Sequence, residues 1–315
     1  VPMEYDIVGD VHGQADKLEA LLLAMGYRHH AGAYRHPTRK AIFVGDFIDR
    51  GPRQVDTYRL ARNMVEADSA LAILGNHEFN AIAWHLPDPD GVDSGHFLRP
   101  RHGELGVKNR HQHSIFLGEV EGTPLHAEII DWFLTLPLWL DLPGLRVVHA
   151  CWHDGYMAEL APLLGEGRTL TAELMVRASR SDDPVFRAVE GLIKGLQFAL
   201  PPVQWFRDKD GHERRNVRIR WWDAHASSYR DLALMPDEER AQLPDIHVHG
   251  IKPTYDQRKP VFFGHYWMQG APVLQAEQMA CVDYSAGKGG PLVAYRWSGE
   301  ERLSSKNFVT SPPKN

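Results

Sequence analysis

One pattern constrains this chain more than any other: short apolar runs recur, and each stops on a polar residue, usually behind a glycine. They read "YDIVGD" from Tyr5, "KAIFVGD" from Lys40, "LAILGNHE" from Leu71, "LRVVHA" from Leu145 and "PVFFGH" from Pro260, with "MACVDYSA" and "PLVAYRW" following. Runs this short, β-branched and bounded by glycine, favour buried strands over pieces of helix. Between the first two, Gln14 to Met25 places Leu18, Leu21, Leu22 and Met25 at helical spacing, and Val55 to Val65 continues a second helix that opens near Pro52. Strand and helix in alternation predict an α/β fold with helices covering the sheet.

Two segments break the rhythm. Residues 84–123 are rich in Gly, Pro, His and Asp without sustained periodicity, which predicts an extended surface insertion. Residues 151–244 form a second, mixed insertion, in which "TLTAELMVRAS" and "DPVFRAVEGLIKGL" look helical and "NVRIRWW" looks like a strand. A single domain over residues 3–300 with a loose tail over 301–315 is expected. The net charge of -6 argues against nucleic acid or anionic membrane as a partner, so any anion must be held locally. Two cysteines, Cys151 and Cys281, are too few for a disulfide framework, and no run reaches membrane-spanning length or shows a leader pattern. A soluble cytoplasmic protein is expected.

The polar residues at the strand ends form a constellation: Asp10 and His12, then Asp46, Asp49 and Arg50, then Asn76, His77 and Glu78, then His149 and His265. Strands of one sheet ending this way would converge on one edge, where open α/β sheets place their sites. Mixed carboxylate and imidazole donors suit divalent first-row metals. Asp10 and His12 can reach the same ion only if the backbone turns at the strand end, and the flanking glycines permit that turn. Each of Asp10, Asp46 and Asn76 alone reads better as a helix cap or turn residue, and only together, in this order and with the histidines, do they favour a metal site.

Taken in order, G-D-x-H-G, G-D-x-x-D-R-G, G-N-H-E, a strand ending in His, and G-H resemble the calcineurin-like metallophosphoesterase superfamily. The D-R-G tripeptide narrows the resemblance to the phosphoprotein phosphatase branch, which includes serine/threonine phosphatases and symmetrical diadenosine tetraphosphate hydrolases. It covers roughly Met3 to Ala150 and Pro260 to Trp297. The resemblance implies a metallophosphoesterase β-sandwich flanked by helices in α/β/β/α layers. It implies two divalent ions, manganese first with iron, zinc or cobalt compatible. Asp10 and His12 would hold one ion, Asp46 would bridge, and Asn76, His149 and His265 would complete the second site. A water between the ions would lose its proton near neutral pH and attack phosphorus in line. Arg50 would grip phosphate oxygens, and His77, oriented by Asp49, would protonate the leaving oxygen. For Glu78 only support of the ligands suggests itself.

Several readings compete. "HVHG", with His247 and His249, is an alternative to His265 for the second ion. His85, His96, His102, His111 and His113 read as solvated loop residues, while Arg99, Arg101, Lys108 and Arg110 beside the single acid Glu104 could steer an anionic substrate. Arg218 and Arg220 alternate with apolar residues before Trp221 and Trp222, which suits a strand with one solvated face and core tryptophans, or a wall that stacks a nucleobase. Trp152, after His149, departs from the small residues usual in the resembled families and puts the pocket shape in doubt. Hydrolysis of phosphate monoesters on a phosphoprotein or small metabolite leads. Symmetrical dinucleoside polyphosphate hydrolysis is the runner-up. A nucleic-acid phosphodiesterase or a non-catalytic regulatory module stands behind both.

Overall fold

The computed structural model describes residues 2–91, 95–200, 205–207 and 211–313, so parts of both expected insertions (92–94, 201–204 and 208–210) lie outside the described residues. The chain opens with β1 (Glu4–Val8), α1 (Ala15–Ala24), a hairpin of β2 (Arg28–His30) and β3 (Ala33–Arg35), and β4 (Arg39–Phe43). It continues through α2 (Gln54–Glu66), β5 (Ala70–Ala72), α3 (Asn76–His85), α4 (Gly103–Gln112), α5 (Ser114–Val120) and α6 (Pro124–Phe133). A hairpin of β6 (Trp139–Leu142) and β7 (Leu145–Val148) leads to α7 (Asp154–Leu160), α8 (Ala172–Ala178) and α9 (Pro184–Lys194). Four short strands follow, β8 (Gln197–Ala199), β9 (Phe206–Arg207), β10 (Glu213–Arg214) and β11 (Asn216–Arg218), then single-turn helices α10 (Tyr229–Leu232) and α11 (Asp237–Arg240). The chain closes with β12 (Val261–Phe263), β13 (Met279–Cys281), β14 (Val293–Trp297) and β15 (Phe308–Thr310).

Two sheets carry the fold. One has the order β15-β14-β1-β4-β5 and the other β13-β12-β7-β6. In the first, β1, β4 and β5 run parallel and β14 antiparallel to β1; in the second, β12 runs parallel to both β13 and β7. Side chains alternate between the two faces of each strand, and the sequence uses both faces. Ile7, Ile42, Val44, Ile73, Val147, Phe262 and Ala280 form one apolar layer between the sheets. Val8, Phe43, Val148, Val261, Phe263 and Cys281 point the other way, into helices that include α1, α2, α6 and α9. This is the expected α/β/β/α sandwich, with strands buried on both faces and therefore almost uninterruptedly apolar.

Three local readings change. Within residues 84–123 the stretch 103–120 is helical apart from His113; α4 is nearly polar all round and buries only Gly106 and Asn109, which leaves no apolar period there to detect. The expected loose tail supplies β15, an edge strand paired to β14, with the Phe308 ring against Tyr295 at 5.3 Å. Within "NVRIRWW" only Asn216–Arg218 is strand, and Trp221 and Trp222 pack on Phe263 on the outer face of the second sheet, so the core reading of these tryptophans holds. No helix among the described residues is long and apolar enough to cross a membrane.

Candidate metal centre

The turns after β1, β4, β5, β7 and β12 meet where the two sheets abut, and they bring the constellation together. Seven of the eleven described non-glycine residues with left-handed backbone lie there: His12, Asp46, Asp49, Arg50, His265, Trp267 and Ser285. Such conformations cost of order 1–3 kcal/mol each and persist only where the surroundings dictate them. Two glycines show the dictate. A Cβ on Gly75 would sit 2.3 Å from Asp46 Oδ1, and one on Gly264 would sit 2.1 Å from Asp10 Oδ1. The glycines of "GNHE" and "FFGH" therefore leave room for carboxylates arriving from other strands.

Asp46 stands at the middle. Its Oδ2 lies 3.6 Å from His12 Nε2, 3.2 Å from His149 Nε2 and 4.0 Å from His77 Nε2. Asn76 Oδ1 lies 3.0 Å from His149 Nε2 and 3.2 Å from His265 Nδ1. Asp10 Oδ2 is 3.9 Å from His12 Nε2, and the Asp10 carboxylate accepts the His265 amide at 3.2 Å. All six expected ligands thus surround one buried space. His12, Asp46 and His77, and separately Asp46, His149 and His265, present donor atoms close enough for each trio to hold an ion. His249 is exposed and instead hydrogen-bonds His247 at 3.1 Å.

The donor chemistry fits divalent cations. His12 Nδ1 donates to the Ile48 carbonyl at 2.8 Å and His149 Nδ1 to the Val44 carbonyl at 2.6 Å, a bond that leaves each Nε2 as a lone pair facing the centre. The His149 lone pair then faces two further acceptors, Asp46 Oδ2 and Asn76 Oδ1, an arrangement that calls for a cation or a proton between them. Buried Nε2 atoms of His12 and His265 have no protein partner. The carboxylates tell the same story. Burial, Asp283 and Asp46 push the Asp10 carboxyl well up, while burial of Asp46 is outweighed by His149 and His77, which hold it well down. Burial with His77 alongside pushes the His12 imidazole down to about 4, favouring the neutral ligand form.

Around this shell stand three acids and an arginine. Asp49 Oδ2 accepts His77 Nδ1–H at 2.6 Å; despite burial, His113 and His77 pull its carboxyl down to about 2. His77 is raised: burial opposes its charge, but Asp46 and the bond to Asp49 outweigh it. Glu78 acquires the role the sequence left open. Its two oxygens accept the amides of Asp46 at 2.6 Å, Phe47 at 2.9 Å and Gly75 at 3.1 Å, pinning the left-handed turn that aims Asp46. Burial and the Asp46 charge push the Glu78 carboxyl up to about 7, a penalty that cations on Asp46 would offset. Asp283 was not foreseen. It accepts the amides of Trp267 at 2.9 Å and Ser285 at 3.1 Å beside Asp10, and its signal was a further apolar run, "MACVD", ending on an acid.

Arg50 is exposed, with its guanidinium 5.1 Å from the Trp267 ring centre, and Trp267 stacks on His12 at 5.2 Å. Of the basic residues read as able to steer an anionic substrate, Arg110 pairs with Glu121 at 2.9 Å, while Arg101 is half-buried against Trp84 and Phe97. His113 is buried and bonded to Asp49 at 2.9 Å, which corrects its reading as a loop residue.

A family model for calcineurin-like phosphoesterases matches residues 3–276. The chain belongs to that family. A bis(5'-nucleosyl)-tetraphosphatase PrpE of the asymmetrical type, from Oceanobacillus iheyensis, is 43% identical over 149 residues, 47% of this chain; the chain spans about half of that relative's length, 55%. A symmetrical bis(5'-nucleosyl)-tetraphosphatase from Psychromonas ingrahamii is 22% identical over 306 residues, 95% of each chain. A solved structure provisionally described as a diadenosine tetraphosphatase is 16% identical, with a TM-score of 0.50 over 100% of this chain and 96% of that one, which shows the fold.

Proposed function

We propose that this calcineurin-like phosphoesterase is a binuclear, divalent-metal-dependent hydrolase of phosphate monoesters, on a phosphoprotein or a small metabolite. The observation that carries the reading is His149 Nε2 set 3.2 Å from Asp46 Oδ2 and 3.0 Å from Asn76 Oδ1, which calls for a cation or a proton at that point, beside buried Nε2 atoms of His12 and His265 that have no protein partner. Asp10 and His12 would hold one ion and Asn76, His149 and His265 the other, with Asp46 placed to serve both. Such ions, when bound, lower the pKa of water to near neutrality and polarise the phosphoryl group.

The chain's own residues supply the rest. Arg50 extends from its left-handed turn into solvent at the rim, where a planar fork can take two phosphate oxygens. His77 donates Nδ1–H to Asp49 and keeps Nε2 on the side of the centre. The ionised Asp49 partner favours the doubly protonated ring. As water's oxygen bonds to phosphorus and the ester P–O bond breaks with its electron pair on the leaving oxygen, the Nε2 proton passes to that oxygen, while the proton given up by the water leaves to solvent, from which His77 is reprotonated. Manganese is the ion to load first, and a cytoplasmic location belongs to the same reading.

A second substrate class is favoured by the relatives: hydrolysis of dinucleoside polyphosphates, as in the tetraphosphatases named above. Hydrolysis of p-nitrophenyl phosphate, its bis-ester, a phosphopeptide and diadenosine tetraphosphate by manganese-loaded protein, with Asp46→Asn as control, separates them. Preference for the monoester or phosphopeptide supports the main reading. Preference for the dinucleotide supports the second, with two ADP marking symmetrical cleavage and ATP plus AMP asymmetrical cleavage. No turnover with metal bound would refute both.

A further inference from the structure

Asp49 is hydrogen-bonded at both oxygens. His77 Nδ1 reaches Oδ2 at 2.6 Å and His113 Nδ1 reaches Oδ1 at 2.9 Å. An ionised carboxylate only accepts, so each imidazole donates its Nδ1–H. With one donor, a carboxylate could still turn about its Cβ–Cγ bond; a second donor on the other oxygen fixes its plane, and with it the ring of His77.

His113 does not come from any of the strand-end motifs. It stands between α4 and α5, 1% exposed, on the helical face that also buries Phe116, Leu117 and Val120, with Trp84 edge-on at 6.4 Å. Its neighbour Gln112 places Nε2 3.5 Å from His77 Nδ1 and accepts a bond from Arg99. The inserted helices therefore reach the dyad at two adjacent residues. We propose that His113 is a positioning residue that, through Asp49, holds His77 in line for proton transfer to the leaving oxygen, so that the insertion is part of the active centre. The proposal rests on the reading of His77 as the acid of phosphoester hydrolysis.

A histidine that merely fills the core would affect every substrate alike. A residue that positions the acid matters most where the leaving group needs a proton. The manganese-loaded wild type, His113→Leu and His113→Gln are compared on phenyl phosphate and 2,4-dinitrophenyl phosphate, with bound metal measured in each. His113→Leu should lose on the order of 10- to 100-fold in kcat on phenyl phosphate and less than about threefold on the dinitrophenyl ester, with KM and metal content within about twofold. His113→Gln, which still offers an N–H to Asp49, should recover most of the loss. Equal losses on both esters, or none, would overturn the proposal. A wild type that hydrolyses neither ester overturns the monoesterase reading on which the proposal rests. The arrangement itself is tested without turnover, and even if His113→Leu does not fold, by nitrogen NMR of the histidine-labelled wild-type protein. His113 should carry its proton on Nδ1 and lose that signature's hydrogen-bonded shift in Asp49→Ala, which removes the acceptor; a proton on Nε2 alone would overturn it.

Discussion

Replacing Asp49 by asparagine tests how the centre prepares its acid. Asn keeps the size and tolerates the left-handed backbone at φ 68°, so the change is chiefly one of charge and acceptor count. The Asp49 carboxyl lies at about 2 against an ordinary 3.8, and it is 1% exposed, so solvent screens little of the interaction. That interval corresponds to about 2.5 kcal/mol of stability at 1.36 kcal/mol per pKa unit. Because the folded value is depressed, this stability is present above about 3.8 and lost as pH falls through about 2. The variant should therefore be less stable by about 2–3 kcal/mol between pH 5 and the ordinary imidazole value of 6.5, a drop in Tm of several degrees, and the difference should shrink as pH rises through the raised pKa of His77, whose charged ring Asp49 stabilises. The asparagine NH2 must face one of two N–H donors, from His77 or His113, and leaves it without an acceptor. His77 loses its proton-holding partner, and kcat should fall by roughly 10²- to 10⁴-fold with metal content unchanged. Thermal unfolding across pH, steady-state hydrolysis of an aryl phosphate and metal analysis read these effects. A kcat within threefold of wild type, or metal lost together with activity, would refute the assignment of Asp49 to the acid rather than to the ions.

Two further substitutions probe the neighbouring roles. Glu78→Gln turns an NH2 toward one of the amides of Asp46, Phe47 and Gly75, and should cost about 1–3 kcal/mol in thermal unfolding and weaken metal binding roughly 10- to 100-fold in a titration. Wild-type values of both would show that Glu78 does not hold the Asp46 turn. Arg50→Ala should raise KM by about tenfold or more with metal content unchanged, and an unchanged KM and kcat would remove the phosphate clamp.

Much of this was legible because strand ends are local. Asp10 with His12, Asp46 with Asp49, and Asn76 with His77 are each written within a few residues of the apolar run that positions them, so order and spacing carry the site. The two sheets were legible as short runs, but which residues would face the inter-sheet layer was not, since both faces are apolar. His113 escaped because its partner Asp49 is 64 residues away and its surroundings, "KNRHQH", look solvated. A signal was available: His113, Phe116, Leu117 and Val120 fall at i, i+3, i+4 and i+7, the spacing of a buried helical face. Asp283 escaped because its role lies in backbone amides contributed by two separate turns, which no side-chain motif records. The edge strand at Phe308–Thr310 is three residues long, too short to show alternation.

The central claim is that one carboxylate, Asp46, organises two cations. The most direct measurement is the metal stoichiometry of wild type and Asp46→Asn after loading with manganese and removal of free ion, read by elemental analysis alongside phosphatase activity. The expected result is two ions per chain in the wild type, with both the metal and the activity lost in the variant. One ion per chain in the wild type, or two ions retained by an active Asp46→Asn protein, would contradict it.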